Sequence, residues 1–231
     1  MKVKKEEKFS FLSGLPIKFG WGWLILGLSL ILNAFYLTTG GLPKFDESIA
    51  VEGVIDGDTL VLDGKVRLRL RHLDAPELEF CGGVEATNLL KKLVEGKRVI
   101  IREKILDQRG RAMALVYVGK KLINKEIIEK GWGRYHSDTS SVTDELKALG
   151  LEAKENKLGV YSPTCYQWEN IEDPKCVIKG NIDPSNSSGR IYHLPGCVQY
   201  MTTVVEKDRG EEWFCSEKEA RDAGYVKSKR C

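Results

Sequence analysis

The sequence predicts a mainly β protein with helices. Its centre is a small closed Greek-key barrel of five strands with three helices, preceded by one transmembrane helix and followed by a small α+β domain. Three observations carry this. From Ile49 to Val118, short apolar or alternating runs are separated by tight glycine turns such as Asp63-Gly64, and the strand-to-strand links are too short for parallel crossovers. Three later stretches carry apolar residues at helical spacing and end at or near a glycine. Phe19 to Leu37 holds no charge and is long enough to cross a bilayer.

Composition bounds the rest. The 231 residues can hold one domain of ordinary size and a smaller unit. Hydrophobic residues make up 42% and charged residues 30%, so most of the chain is globular. A net charge of +3 is too small to argue nucleic-acid binding by itself. Six cysteines are many for a reducing compartment and ordinary for an exported protein.

Taken in order, residues 1–18 are a cytoplasmic N-terminus carrying Lys2, Lys4, Lys5, Lys8 and Lys18, against Lys44 after the apolar run. That bias places the N-terminus inside and everything after about residue 40 outside, with residues 19–37 as a single-pass anchor. Trp21, Trp23 and Tyr36 suit the interfacial belts. A cleaved signal peptide is the competing reading and would make the protein secreted; Thr38-Thr39-Gly40 is a poor cleavage site. Residues 38–48 are a linker. Strands then cover Ile49 to Ile55, 59–62 and 66–71. Glu85 to Glu95 is a helix with Ala86, Leu89, Leu90, Leu93 and Val94 on one face. Strands 97–103 and 112–118 flank the turn Asp107 to Arg111. Leu122 to Lys130 is a short helix, residues 132–141 are irregular, and Ser141-x-x-Asp144 reads as a capping box for a helix to Lys157. This domain spans 49–165.

Val54 to Glu77 is chemically unusual. Asp56-Gly57 suffices for a turn, yet Asp58 adds a second carboxylate beside it. Asp58 and Asp74 end different strands and can converge into a site for a hard cation such as Ca²⁺, with a backbone carbonyl completing it. Apart from His72, which reads as a surface or packing residue, no His or Cys lies among these acids to favour zinc. Glu77 follows Asp74 by three residues and can act as base toward a metal-held water. Arg69 and Arg111 have the planar fork that grips phosphate oxygens. Each residue alone has a plain reading: turn former, loop start or solvated strand charge. Arg67 and Arg71 read as solvated or phosphate-touching, His72 as a surface or packing residue, and Trp132 as core. Tyr135 and His136 are candidates for base stacking.

Five blocks, V-I-D-G-D-T, R-L-R-H-L-D-A-P-E, D-Q-R-G-R-A-M-A-L-V-Y, L-I-N-K-E-I-I-E-K-G and E-A-K-E-N-K-L-G-V-Y-S, together resemble the thermonuclease (staphylococcal nuclease) family. The resemblance implies an OB-type barrel. It implies Asp58, Asp74 and the Ala75 carbonyl as Ca²⁺ ligands, Asp56 as an acid behind them, Glu77 as general base, and Arg69 and Arg111 as catalytic arginines. The implied activity is Ca²⁺-dependent endonucleolytic hydrolysis of DNA and RNA with low sequence specificity. Arg109 stands where the family often has an aromatic, and is a tentative phosphate contact. A barrel that binds nucleic acid or protein at the cell surface without cutting is the alternative. No protein partner is expected.

Cys81 and Cys165 are candidates for a disulfide outside the cell. Residues 166–175 read as a linker, and 176–231 as a separate tail. Its R-I-Y-H-L-P-G-C and closing K-R-C resemble the small metal-binding domain of Ada-type repair methyltransferases. That resemblance implies Zn²⁺ on His193, Cys197 and Cys231, with Ser228 at a position where the family has cysteine; Cys176 or Cys215 would have to substitute for it. The other reading is a zinc-free tail with a disulfide among Cys176, Cys197, Cys215 and Cys231. Lys227, Lys229 and Arg230 make a basic end.

Overall fold

The computed structural model describes residues 21–39, 48–183 and 189–231. The basic segment 1–18 and most of the expected linker 38–48 lie outside the described residues. The chain divides into two units, Met1–Asp46 and Glu47–Cys231. In the first, α1 (Trp21–Thr39) is a 19-residue helix. Its described apolar side chains stand open: Ile25, Leu28, Leu30, Ile31 and Phe35 are all more than half exposed. Side chains of this helix are described only over 25–35, and among the described residues no helix is long and apolar enough to cross a membrane.

The second unit opens with β1 (Ser48–Val54), β2 (Thr59–Leu62), β3 (Val66–Leu70) and the short β4 (Leu73–Asp74). Then come α2 (Gly83–Val94), β5 (Arg98–Leu106), β6 (Ala112–Val118), β7 (Lys121–Leu122), α3 (Ile123–Glu129), β8 (Arg134–Tyr135) and α4 (Thr143–Glu155). Strand order is β3-β2-β1-β5-β6-β7, and a parallel β3–β6 pairing closes the first five into a barrel. The closure follows from side-chain alternation: Leu60, Leu62, Leu68, Leu70, Val99 and Leu115 all point inward and are buried. Each such leucine contributes roughly 1.5–3 kcal/mol of burial. On α2, Ala86, Leu90 and Val94 recur at i, i+4 and i+8 and are fully buried. On α3, Ile123, Ile127 and Ile128 do the same.

The capping box does not form. Helix α4 starts at Thr143 with Val142 before it and no side-chain cap. A bulge in β5 between Arg102 and Ile105, with Glu103 at φ 48°, aims the Glu103 carboxylate at Ser141, which gives it both its hydroxyl and its N–H. A tertiary acceptor has taken the residue that local sequence assigned to capping.

The tail adds β9 (Tyr166–Gln167), β10 (Ile178–Ile182), β11 (Arg190–His193), β12 (Val205–Glu206), β13 (Glu212–Phe214), α5 (Glu217–Asp222) and β14 (Val226–Lys227). A sheet ordered β13-β10-β11-β14 packs Ile178, Tyr192 and Phe214 with Ala220 and Tyr225. Within 166–175, read as linker, β9 pairs antiparallel with β12. Barrel and tail are one compact unit. Cys81 is bonded to Cys165, and the guanidinium of Arg134 reaches Asp208 at 2.6 Å and Glu206 at 3.1 Å.

Candidate active site

The turn between β1 and β2 builds the first half of the site. Asp58 donates its N–H to Asp56 Oδ1 at 3.0 Å, which folds the pair of acids into an Asx turn. Gly57 lets this turn approach closely: a Cβ there would lie 2.6 Å from the Cβ atoms of Ala75 and of Ala86 on α2. The second half is the end of β3 and β4. Cross-strand register sets Thr59 opposite Arg69 and Arg69 opposite Met113. Arg69 Nη1 donates to Asp58 Oδ1 at 2.6 Å and Nη2 to Asp74 Oδ1 at 2.8 Å. The Ala75 N–H and the Thr59 hydroxyl also donate to Asp58, at 3.0 and 2.8 Å.

One guanidinium thus joins the two acids expected to converge. Asp58 is 1% exposed. Burial pushes its carboxyl up to about 7, against the opposing pull of Arg69 and with a further push from Asp56. Among the described residues, Asp56, Asp58 and Asp74 gather around one cation, Arg69, in an oxygen-rich donor set. That suits a hard cation held by Asp58, Asp74 and a backbone carbonyl such as that of Ala75.

Arg69 and Asp74 line an open cleft of about 490 Å³ together with Arg109, Arg111, Asp107 and His136. The 107–111 turn is organised by Asp107, whose carboxylate takes the N–H groups of Arg109 and Arg111 and the Nε of Arg111 at 2.6 Å. Those donors, the Arg111 N–H first, hold Asp107 below the usual carboxylate range. Gly110 at φ 77° permits the turn. Arg111 is therefore aimed by its own loop, and its terminal nitrogens carry no part of that bond. Glu77 is exposed in the turn after β4 and is not among the residues lining the cleft. Gly83 packs against its carbonyl so closely that a Cβ would lie 2.0 Å away.

The reading of Arg71 as solvated is corrected, and of the two offered for His72 the packing one holds. Arg71 is buried, not solvated: it binds Asp138 Oδ2 at 2.5 Å, the Glu103 carbonyl at 2.8 Å and the Thr139 carbonyl. His72 is buried too, with Nε2 2.7 Å from the Ser140 hydroxyl and its carbonyl accepting from the His136 N–H. Both tie down the 136–140 loop, so His136, Ser137 and Asp138 form a wall of the cleft. Trp132 packs against the core. Sequence reasoning missed Thr59, Asp107, Asp138 and Asn124. Buried Asn124 takes the Val116 N–H and gives its amide to the carbonyls of Arg71 and Ala114, fastening α3 to the barrel behind the cleft. The only available signal was Thr59's place in D-G-D-T and Asp107's place before a Gly turn.

The zinc reading of the tail is also corrected. Cys176 is bonded to Cys215 and Cys197 to Cys231, and with Cys81–Cys165 no cysteine is free. A disulfide sulfur supplies no thiolate to a metal. His193 is buried on β11, and Ser228 accepts the Arg230 N–H.

Comparison with known proteins agrees with this geometry. Residues 67–163 match the family model described as staphylococcal nuclease homologue, a stretch holding Arg69, Asp74, Glu77 and Arg111 but starting after Asp58. The chain is 35% identical over 105 residues to the probable staphylococcal-like nuclease CAN3 of Oryza sativa subsp. japonica, covering 46% of this chain and 28% of that protein. It is 32% identical over 176 residues to an uncharacterized endonuclease of Haemophilus influenzae, covering 71% of this chain and 95% of that one. It is 30% identical over 160 residues to the thermonuclease of Staphylococcus intermedius, covering 61% and 95%. The fold and cleft define an OB-type barrel carrying an acid-and-arginine site. The chain belongs to the staphylococcal nuclease family.

Proposed function

We propose that this protein is a metal-dependent endonuclease that hydrolyses phosphodiester bonds of DNA and RNA with little sequence preference. The observation that carries the reading is the Asp58–Arg69–Asp74 bridge on a cleft shared with Arg111. Ca²⁺ fits the all-oxygen donor set of Asp58, Asp74 and Ala75, and when bound would polarise the phosphate and present a water. Glu77 takes the proton from the attacking water. Arg69 and Arg111 fork onto the phosphate oxygens and stabilise charge as it builds there. Arg109 and His136 contact the strand beside the scissile bond.

Plasmid digestion with Ca²⁺ and with excess EGTA tests the reading. Cutting with Ca²⁺ and none with EGTA is expected. Cutting that persists in EGTA would remove calcium from the mechanism, and no cutting in either would favour a binding module.

The uncharged run 19–37 and the lysines before it support a further part of the proposal: α1 anchors the protein in a membrane, with the barrel on the outer side. Three disulfides suit that side. Alkaline carbonate should leave the full chain in the membrane pellet; release into the supernatant would sink the anchor.

A further inference from the structure

Residues 154–171 form a second concave surface, sharing no residue with the cleft. It encloses about 310 Å³ between the end of α4 and the segment after Pro163, where the family match stops. Tyr161, Tyr166, Trp168 and Ile171 supply apolar walls, and Lys154 and Lys157 stand at the rim. Trp168 is 52% exposed and Ile171 more so. Neither belongs to a buried core cluster.

The rings are held in place. Tyr166 and Trp168 meet edge to face at 6.4 Å, and the ammonium of buried Lys179 lies 6.0 Å from the Trp168 ring. Lys179 is itself pinned by the carbonyls of Tyr200 and Thr203 at 3.0 and 2.6 Å. Lys154 Nζ lies 5.6 Å from the Tyr166 ring. Lys157 sits at φ 54°, the left-handed turn that ends α4, with the Leu158 N–H on the Ala153 carbonyl. Rigid, half-exposed rings beside two lysines fit flat rings joined by phosphates. Among the residues lining the groove, one acid, Glu169, stands against Lys154 and Lys157.

We infer that this groove is a secondary binding site for single-stranded nucleic acid. A base stacks on Trp168, and Lys154 and Lys157 meet the flanking phosphates. The inference rests on the nuclease reading, and it adds a way to hold a strand away from the bond being cut.

The test is fluorescence anisotropy of the full chain in detergent. The probes are a short phosphorothioate oligo(dT), which resists cleavage, and an abasic strand of equal length. Wild type should prefer the base-bearing strand by about tenfold. Trp168→Ala should abolish that preference, and Trp168→Phe, which keeps a ring and the packing, should retain most of it. Lys154→Ala with Lys157→Ala should weaken both strands and flatten the salt dependence by roughly one to two units of slope. A wild type without the preference, or a Trp168→Ala variant that retains it, overturns the groove. So does displacement of oligo(dT) by an oligoglutamate peptide at equal concentration, which would assign the surface to protein. A chain that discriminates the two strands yet cuts no plasmid with Ca²⁺ upholds the groove and sinks the hydrolytic reading instead.

Discussion

Arg69 and Arg134 make the same three-part arrangement in two places. Each guanidinium bridges a buried aspartate and a second acid: Asp58 and Asp74 for one, Asp208 and Glu206 for the other. The buried partners match, Asp58 at 1% and Asp208 at 2% side-chain exposure. The second acids do not. Asp74 is 56% exposed on an open cleft, whereas Glu206 is enclosed at the barrel–tail junction, where the Tyr161 ring lies 5.0 Å from Arg134. Asp56 adds a third carboxylate at the cleft, and at the junction Arg209 is a second cation on Glu206. A closed bridge fastens two parts of a fold. An open one is available to a cation and a phosphate. The difference lies in access, not in residue types.

Breaking the cleft bridge should show the largest effect. Arg69→Ala is expected to lower plasmid-cutting turnover by about 10³-fold or more, the scale of losing one charge-stabilising donor. Its melting temperature should fall as well, because Asp58 is buried and loses the cation bonded to it, so turnover is read per folded molecule. A loss of turnover below tenfold would mean that Arg69 serves the fold alone.

Arg134→Ala should act the other way. Removing one partner of a buried pair leaves Asp208 uncompensated, at a cost of about 3–5 kcal/mol in denaturant unfolding. Turnover per folded molecule should change far less than for Arg69→Ala, since the β4–β8 pairing of Asp74 with Arg134 is made by backbone. A stable Arg134→Ala chain would refute the fastening role.

The smallest effect sharpens the electrostatics of the junction. Glu211 is buried and accepts from the Asn181 amide and the N–H groups of Ile182 and Glu206. Burial raises its carboxyl above the ordinary 4.5, with those donors opposing. The folded chain therefore binds this proton more tightly than the unfolded chain does. The resulting stabilisation is full below the ordinary value and is lost as pH rises through the folded one. Glu211→Gln should flatten the fall in melting temperature across that window. An unchanged pH profile would show that the shift is absent.

The fold was legible wherever local pattern and burial agree. Strand alternation placed all five barrel strands, and the apolar stripe on α2 placed Ala86, Leu90 and Val94 inside. Legibility failed where a distant group competes for a residue. Ser141 serves Glu103 and not its own helix, and Arg71 in R-L-R-L-R turns inward to Asp138, 67 residues on. The cysteines divide the same way: Cys81–Cys165 was a candidate from sequence and forms, whereas the pairing among the four tail cysteines was left open, because connectivity depends on which loops the folded chain brings together.

By itself the sequence determined the family, the barrel, and Arg69, Asp74 and Arg111 as candidates that reach one cleft, since these are set by residue type, spacing and alternation; Glu77 does not line that cleft. Only the tertiary structure decided which charges are open and which are enclosed. It put Arg69 between two acids, buried Arg71 and His72 behind the cleft wall, and joined the tail to the barrel through Arg134 and Cys81–Cys165. The physical reason is that exposure and pairing are properties of the packed chain: an arginine reads the same in sequence whether water or a tyrosine ring covers it.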